Sequence, residues 1–599
     1  MKNMKLKLGA FLVCMLMLTN SCKEDFLNVL PNGQLDANVL ANADGVDALL
    51  ISTYSMLDGV ASNGFGWEAA SSNWVYGSIR ALEANKGTDA GDQPDINPIQ
   101  TYSENAANPY LDIKWRSVYD GVSRANSALR VLATAETNGT VTADQATSFR
   151  NQAKALRGYF HLEAFRLWGK SDGTGVPYVA EDTDQGTLTN DVDIRQNILD
   201  DLEAGTALPD NMGQIGRFNG TVAKVLYAKA LMQLNGDHAG AKTVLQAVIG
   251  SAIAPSPGTA WTGAKKPNGA SVGLDTEYGA IFDASNRNTS LETIYTVQYS
   301  VNDGSGGWNG GWGEVLNFPY KPAGKSPGGC CGFFQPSHDF VNSFLVDANG
   351  LPYLNNTYNA APLADDMGLK PSDDPENPDP FTEDDRDLDP RLDWSVGRRG
   401  IPYLDWGVHT GSNWIRDQSY AGPYSPKKQV YKKSQEGQLT EVGNWTSGWT
   451  ANGYRLIRAA DVVLLLAECQ IWTNDLANGL ANINVIRNRA KNSTPVLEED
   501  GTTPAASYVI EPYNAFANQD EAKKALMFER KLELGMEGHR YFDLQRWGMV
   551  VSELTRILAY EKTERGLLYG NAAIGAEDVN YPIPQNQIDI TNGNLKQNR

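Results

Sequence analysis

Histidine and cysteine are scarce in this sequence, with five of each among 599 residues. No His-Glu-x-x-His or phosphate-loop pattern occurs, so the sequence signs of a zinc protease and a nucleotide-using enzyme are missing. Basic residues are in deficit: 51 Lys and Arg stand against 71 Asp and Glu, a formal charge of −20. That field has the wrong sign for a phosphate backbone and excludes nucleic acid as a partner. Long apolar runs are lacking too. The stretch from Leu8 to Leu18 falls short of the roughly 20 residues a membrane-spanning helix needs. The cysteines do not form a disulfide scaffold either. Cys14 lies in the first apolar run, Cys469 sits in an apolar helical pattern suited to a small buried thiol, and Cys330-Cys331 are adjacent. Adjacent α-carbons lie about 3.8 Å apart, so this last pair is either a strained vicinal disulfide or two free thiols.

What the N-terminus does have is a lipoprotein signal. Lys2, Lys5 and Lys7 precede the apolar run, and Thr19-Asn20-Ser21-Cys22 follows it. Residues 1–21 are expected to be removed, leaving Cys22 as the acylated first residue, although a strict signal has Leu where Thr19 stands. Lys23-Glu24-Asp25 resembles the export signal that places such lipoproteins on the outer face of the outer membrane. Polar residues 22–42 then read as a lipidated tether.

From Gly45 onward the pattern is mainly α. Leu50, Tyr54 and Leu57 share one stripe, Trp115 to Leu132 repeats the same spacing, and a further helix runs near Ala143 to Trp168. Val222–Leu234, Asn235-Gly236-Asp237 and Ala239–Ile249 spell a helical hairpin, with Asp237 as N-cap and Ala223, Ala228 and Ala230 allowing close approach. Tyr454–Trp472 and Leu476–Ala490 repeat the plan, as tetratricopeptide-type pairs do. Expected divisions are an N-terminal helical part at 43–250, a loop-rich ligand-binding part at 251–453 and a C-terminal helical part at 454–599 that packs on the first. The middle part is rich in Gly, Pro, Asn and Asp, with a strand-like run at Thr293–Tyr299. Its acidic stretch from Asp373 to Asp389 reads as a solvated loop, a bound calcium ion being the alternative; no cofactor is expected.

The run from Phe528 to Gly548, FERKLELGMEGHRYFDLQRWG, resembles the signature of the SusD/RagB family of outer-membrane nutrient-binding lipoproteins. Arg487-Asn488-Arg489-Ala490, Tyr581-Pro582-Ile583-Pro584, Asn594–Asn598, Asp389–Asp393, Asn349–Pro352 and Phe165–Gly169 are similar to other segments of that family. The resemblance implies a non-enzymatic surface protein of the Bacteroidetes. It would capture oligo- or polysaccharide and deliver it to a partner SusC-like TonB-dependent transporter, on a tetratricopeptide-like helical scaffold with a large loop-rich insertion. A peptide-importing relative and a surface glycoside hydrolase are the alternatives. Glu529, Arg530, Glu533, Glu537 and Arg540 recur at helical spacing and read as an ion-pair network, with Arg546 and Trp547 as anchors.

A sugar site needs exposed flat rings beside amides or carboxylates. With 14 Trp and 25 Tyr available, two stretches qualify. One holds Trp67, Trp74 and Tyr76; the denser one holds Trp308, Asn309 and Trp312 and continues to Tyr320, Phe333 and Phe334. Trp406, Trp414, Trp445 and Trp449 form a weaker third set.

Overall fold

The computed structural model describes residues 37–599 apart from 61–63, 65, 321–326 and 444, so the signal segment, Cys22 and most of the expected tether lie outside the described residues. The N-terminal half is a succession of packed helices: α1 (Ala43–Ser55), α2 (Pro109–Thr137), α3 (Ala143–Trp168), α4 (Arg195–Gly205), α5 (Gly220–Asn235) and α6 (His238–Ile249). Their starts are written in the sequence. Asn108, with Pro109 behind it, caps α2; Thr142 and Gln145 form a reciprocal capping box on α3; Asp237 caps α6 through the Gly240 N–H. From α2 to α6 each helix packs on the next. The α4–α5 contact is tight because Gly205 ends α4, where a β-carbon would lie 2.9 Å from that of Ala223. Ala223 thus serves that contact rather than the α5–α6 hairpin.

The C-terminal half continues the stack. α7 (Ala459–Trp472) lies on α6 and pairs with α8 (Leu476–Asn492), and α9 (Gln519–Leu534), α10 (Arg540–Arg546) and α11 (Val550–Glu564) follow. Cys469 is fully buried where α7 meets α5, its Sγ 3.6 Å from Met232 Sδ, and burial pushes its thiol up to about 12. A helix was expected from Tyr454, but Arg455–Arg458 form a strand instead, paired antiparallel with Thr293–Thr296. The ladder takes the residues before α7 because both faces of this strand are buried, a condition that an amphipathic helix turn does not meet. Among the described residues no helix is long and apolar enough to cross a membrane.

Glu529, Arg530, Glu533, Glu537 and Arg540 are buried and do not pair with one another. Arg391 binds Asp389, Glu529 and Glu533; Arg458 binds Glu292, Glu533 and Glu537; Arg489 binds Glu292 and Glu533; Arg530 binds Asp461 and Asp543. These pairs tie α9 to α7, α8 and the 389–393 segment, so the network is tertiary. Arg546 and the Trp547 indole both reach Glu468 of α7, anchoring α10 as expected.

Candidate functional site

Residues 299–318 leave the core as a loop that returns on the hairpin formed by Thr440–Glu441 and Trp449–Thr450. The loop is laced to itself: Ser300 N–H donates to Asn309 O (2.8 Å), Asn309 Nδ2 to Asp303 Oδ2 (2.8 Å), and the Trp312 indole N–H to Gly307 O (2.9 Å). It is also clipped to the hairpin, since Gly311 N–H donates to Thr450 O at 3.0 Å and Asn302 N–H to Glu441 Oε2 at 3.0 Å. Gly307 has φ +87°, and a β-carbon there would fall 2.8 Å from the Trp449 ring. Only glycine gives both that turn and that approach.

The result is a cluster of tryptophans. Trp308 stacks on Trp312 with centroids 4.9 Å apart and 21° between planes. Trp312 is in turn backed by Trp449 at 5.4 Å and Trp67 at 6.1 Å. Trp445 stands edge-on to Trp449 at 5.5 Å and 83°. Among the described residues Trp308, at 56% exposure, and Trp445, at 42%, are the exposed tryptophans, and Val442 on the same hairpin is 63% exposed. Grouped apolar exposure of this kind marks a recognition surface. One face of the Trp308 indole is covered by Trp312, which fixes the ring and leaves the other face to solvent.

The candidate residues therefore divide. Trp308 and Asn309 are exposed on this surface, while Trp312 is its buried floor and Trp67 lies behind that floor. Trp74 and Tyr76 are not on a loop surface: they occupy a buried π-helical turn, Trp74–Ile79. Trp74 packs edge-on against Phe333 and Phe334, and the Tyr76 hydroxyl shares its one proton between Glu68 O (2.7 Å) and Tyr110 O (2.9 Å). Phe333 and Phe334 are themselves buried in a strand, Phe333–Pro336, paired with Ala84–Gly87. These four aromatics are core, because the pairing of the two strands brings the Phe333 and Phe334 rings onto Trp74 and covers them. Tyr320 is half-buried under the Arg416 guanidinium, 5.4 Å from its ring. Trp414 and Trp406 pack with Phe318, Tyr403 and Tyr431 in a satellite cluster. Trp445 and Trp449, the weaker set in the sequence, join the Trp308 cluster in the structure, and nothing local in the sequence shows that residues over a hundred positions away lie together. Cys330 and Cys331, left open by the sequence, are joined as a disulfide.

Charge at the site is organised by burial. Asp303, fully exposed, is held below the usual carboxylate range by hydrogen bonds from Asn309 and Ser305. Beneath the platform, Glu314 is buried: its Oε2 accepts from the Tyr299 hydroxyl at 3.4 Å, and Oε1 has no partner among the described residues. Burial pushes its carboxyl up to about 7. The folded protein therefore binds a proton between about pH 4.5 and 7 that the unfolded chain releases, and stability falls as pH rises through that window. Glu314→Gln is expected to remove this loss, making the variant the more stable at pH 8 by an amount on the order of 3 kcal/mol. Urea unfolding at pH 5 and 8 measures it; an unchanged pH slope in the variant would show that Glu314 is not the group responsible. Among the described residues no group of three or more His, Cys, Asp or Glu is placed to hold a metal ion.

Comparison with known proteins follows from this geometry. A SusD-like protein of Formosa agariphila is 30% identical over 135 residues, a match spanning 22% of this chain and 22% of that protein. The solved structure of a SusD superfamily protein from Bacteroides vulgatus superposes with a TM-score of 0.63 at 18% identity, over 93% of this chain and 99% of that one. A laminarin-binding SusD-like protein superposes with a TM-score of 0.62 at 20% identity, again over 93% and 99%. Both share the helical scaffold found here. The sequence model of the SusD family matches residues 291–599, a span that holds the Trp308 loop, the Trp445 hairpin and the buried arginine–glutamate network, and the chain belongs to that family.

Proposed function

We propose that this protein is a cell-surface, lipid-anchored glycan-binding component of nutrient uptake. It captures oligo- or polysaccharide on the Trp308–Trp445 face and passes it to a SusC-like TonB-dependent transporter in the outer membrane. The observation that carries the reading is the solvent-facing Trp308 indole held on Trp312, with Trp445 edge-on to the shared floor. A pinned flat ring with an open face fits the C–H face of a pyranose, and Asn309 and Asp303 beside it supply hydroxyl partners. Family membership and the laminarin-binding neighbour support a sugar over other ligands. Cys22 at the end of a polar segment suits a body that stays tethered while it moves over a transporter.

The reading is non-catalytic. A glycosidase acid must keep its proton near neutrality and reach the substrate: Asp303, exposed on the Trp308 loop, is shifted the other way, and Glu314 of the same loop, pushed up to about 7, is buried beneath the platform. The soluble protein begun at residue 23 is expected to bind laminarin or another neutral polysaccharide in affinity electrophoresis, without releasing reducing sugar. Retention by peptides alone, or sugar release abolished by one Asp or Glu substitution, would replace this function with a peptide carrier or a hydrolase.

A further inference from the structure

Behind the Trp308 loop lies a cleft of about 410 Å³ that the platform itself does not use. Its walls are the end of α1 (Tyr54, Ser55, Asp58), the turn at Gln214–Arg217, the segment Tyr295–Ser300, and Asn309. Asn309 is the link. It follows Trp308 in the chain, so its α-carbon is about 3.8 Å from that of the platform residue, and it lines the cleft as well. A ligand lying on Trp308 is thus within about one sugar ring of the cleft mouth.

The cleft has the composition of a sugar pocket and a volume inside the roughly 300–1,000 Å³ range of small-ligand sites. Tyr54, Tyr295 and Tyr299 give it ring surface, and Gln214, Gln298, Ser300 and Asn309 give it amide and hydroxyl groups. It offers no welcome to an anion: its arginine, Arg217, is already bonded to Asp47 (2.9 Å) and Gln214 (3.1 Å), and Asp58 contributes a carboxyl. Burial raises Asp58 to about 6, so near neutral pH the carboxylate form prevails and a uronic acid or sulfate would meet repulsion.

We infer that the ligand is a branched neutral polysaccharide, its main chain lying on Trp308 and a short uncharged side branch entering the cleft past Asn309. This rests on the platform reading and adds to it the class of glycan. The geometry that favours it is the adjacency of two surfaces: the exposed ring face of Trp308, which suits a continuing chain, and the cleft of about 410 Å³ that begins at Asn309, which suits a short branch.

Isothermal titration of matched probes tests it: linear β-1,3-glucan oligosaccharide against its β-1,6-branched counterpart, and linear against α-1,6-branched maltooligosaccharide. For the backbone that binds, the branched member is expected to bind about tenfold tighter, the gain of one further buried contact region. Ser55→Trp and Ile51→Trp place an indole in the cleft from its exposed rim. They are expected to abolish that preference while leaving linear binding unchanged, and Trp308→Ala is expected to weaken both members of the pair. Thermal melts show that each variant folds. Equal binding of linear and branched probes by the native protein, or an undiminished preference in both rim variants, overturns the branch assignment and leaves the platform standing. Binding of neither pair overturns both.

Discussion

Replacing Trp308 with alanine is expected to weaken glycan binding by about 1–3 kcal/mol, roughly 5- to 150-fold, with no change in unfolding midpoint. The side chain is 56% exposed, so its removal opens no cavity, and its contact with Trp312 is through one face only. Trp445→Ala should act in the same direction and more weakly, because that ring meets the cluster edge-on. Trp312→Ala is the informative contrast. Trp312 is 5% exposed and touches Trp67, Trp308 and Trp449, so its loss should cost about 3–5 kcal/mol of stability and also release the Trp308 ring. Titration calorimetry paired with denaturant unfolding separates the two effects. Native affinity in both Trp308→Ala and Trp445→Ala would remove the platform from the binding site.

The second large effect concerns stability alone. Glu533 accepts ion pairs from Arg391, Arg458 and Arg489, all with side chains at most 1% exposed. Burial alone would raise its carboxyl, yet Arg489, Arg458 and Arg391 outweigh that and hold it well below the ordinary range. Glu533→Ala leaves each of these buried guanidinium groups one carboxylate short and is expected to cost about 3–5 kcal/mol. Glu533→Gln keeps the shape but not the charge and should recover only part of it. The sign with pH is fixed by the depressed pKa: the contribution is present above the unfolded value near 4.5 and lost as pH falls below it. The stability gap between native protein and Glu533→Gln should therefore narrow by only about 1 kcal/mol from pH 7 to pH 4 and go on closing as pH falls further, as urea unfolding across that range measures. A midpoint for Glu533→Ala within about 0.5 kcal/mol of native would mean the network is decorative.

The helices were legible because their information is local. The cap at Asp237 and the apolar stripes of α2 and α3 act over a turn or two, and the structure has helices there, α2 running past its stripe at both ends. The family signature was legible too, though its charges were legible only as a helical face. Their true partners, Arg391, Arg458 and Arg489, come from other elements, and long-range pairing leaves no mark in spacing.

The sequence by itself determined the class of this protein: an acidic, helix-paired body of the SusD family, with aromatic residues set among glycines. Tertiary structure alone decided which rings face solvent. Trp74, Tyr76, Phe333 and Phe334 were candidates on the sequence beside Trp308, yet they went into the core. The physical reason is that exposure depends on what packs against a ring's second face. For Trp74 that is Phe333 and Phe334, brought by a strand pairing more than two hundred residues apart; for Trp308 one face meets Trp312 and the other meets water.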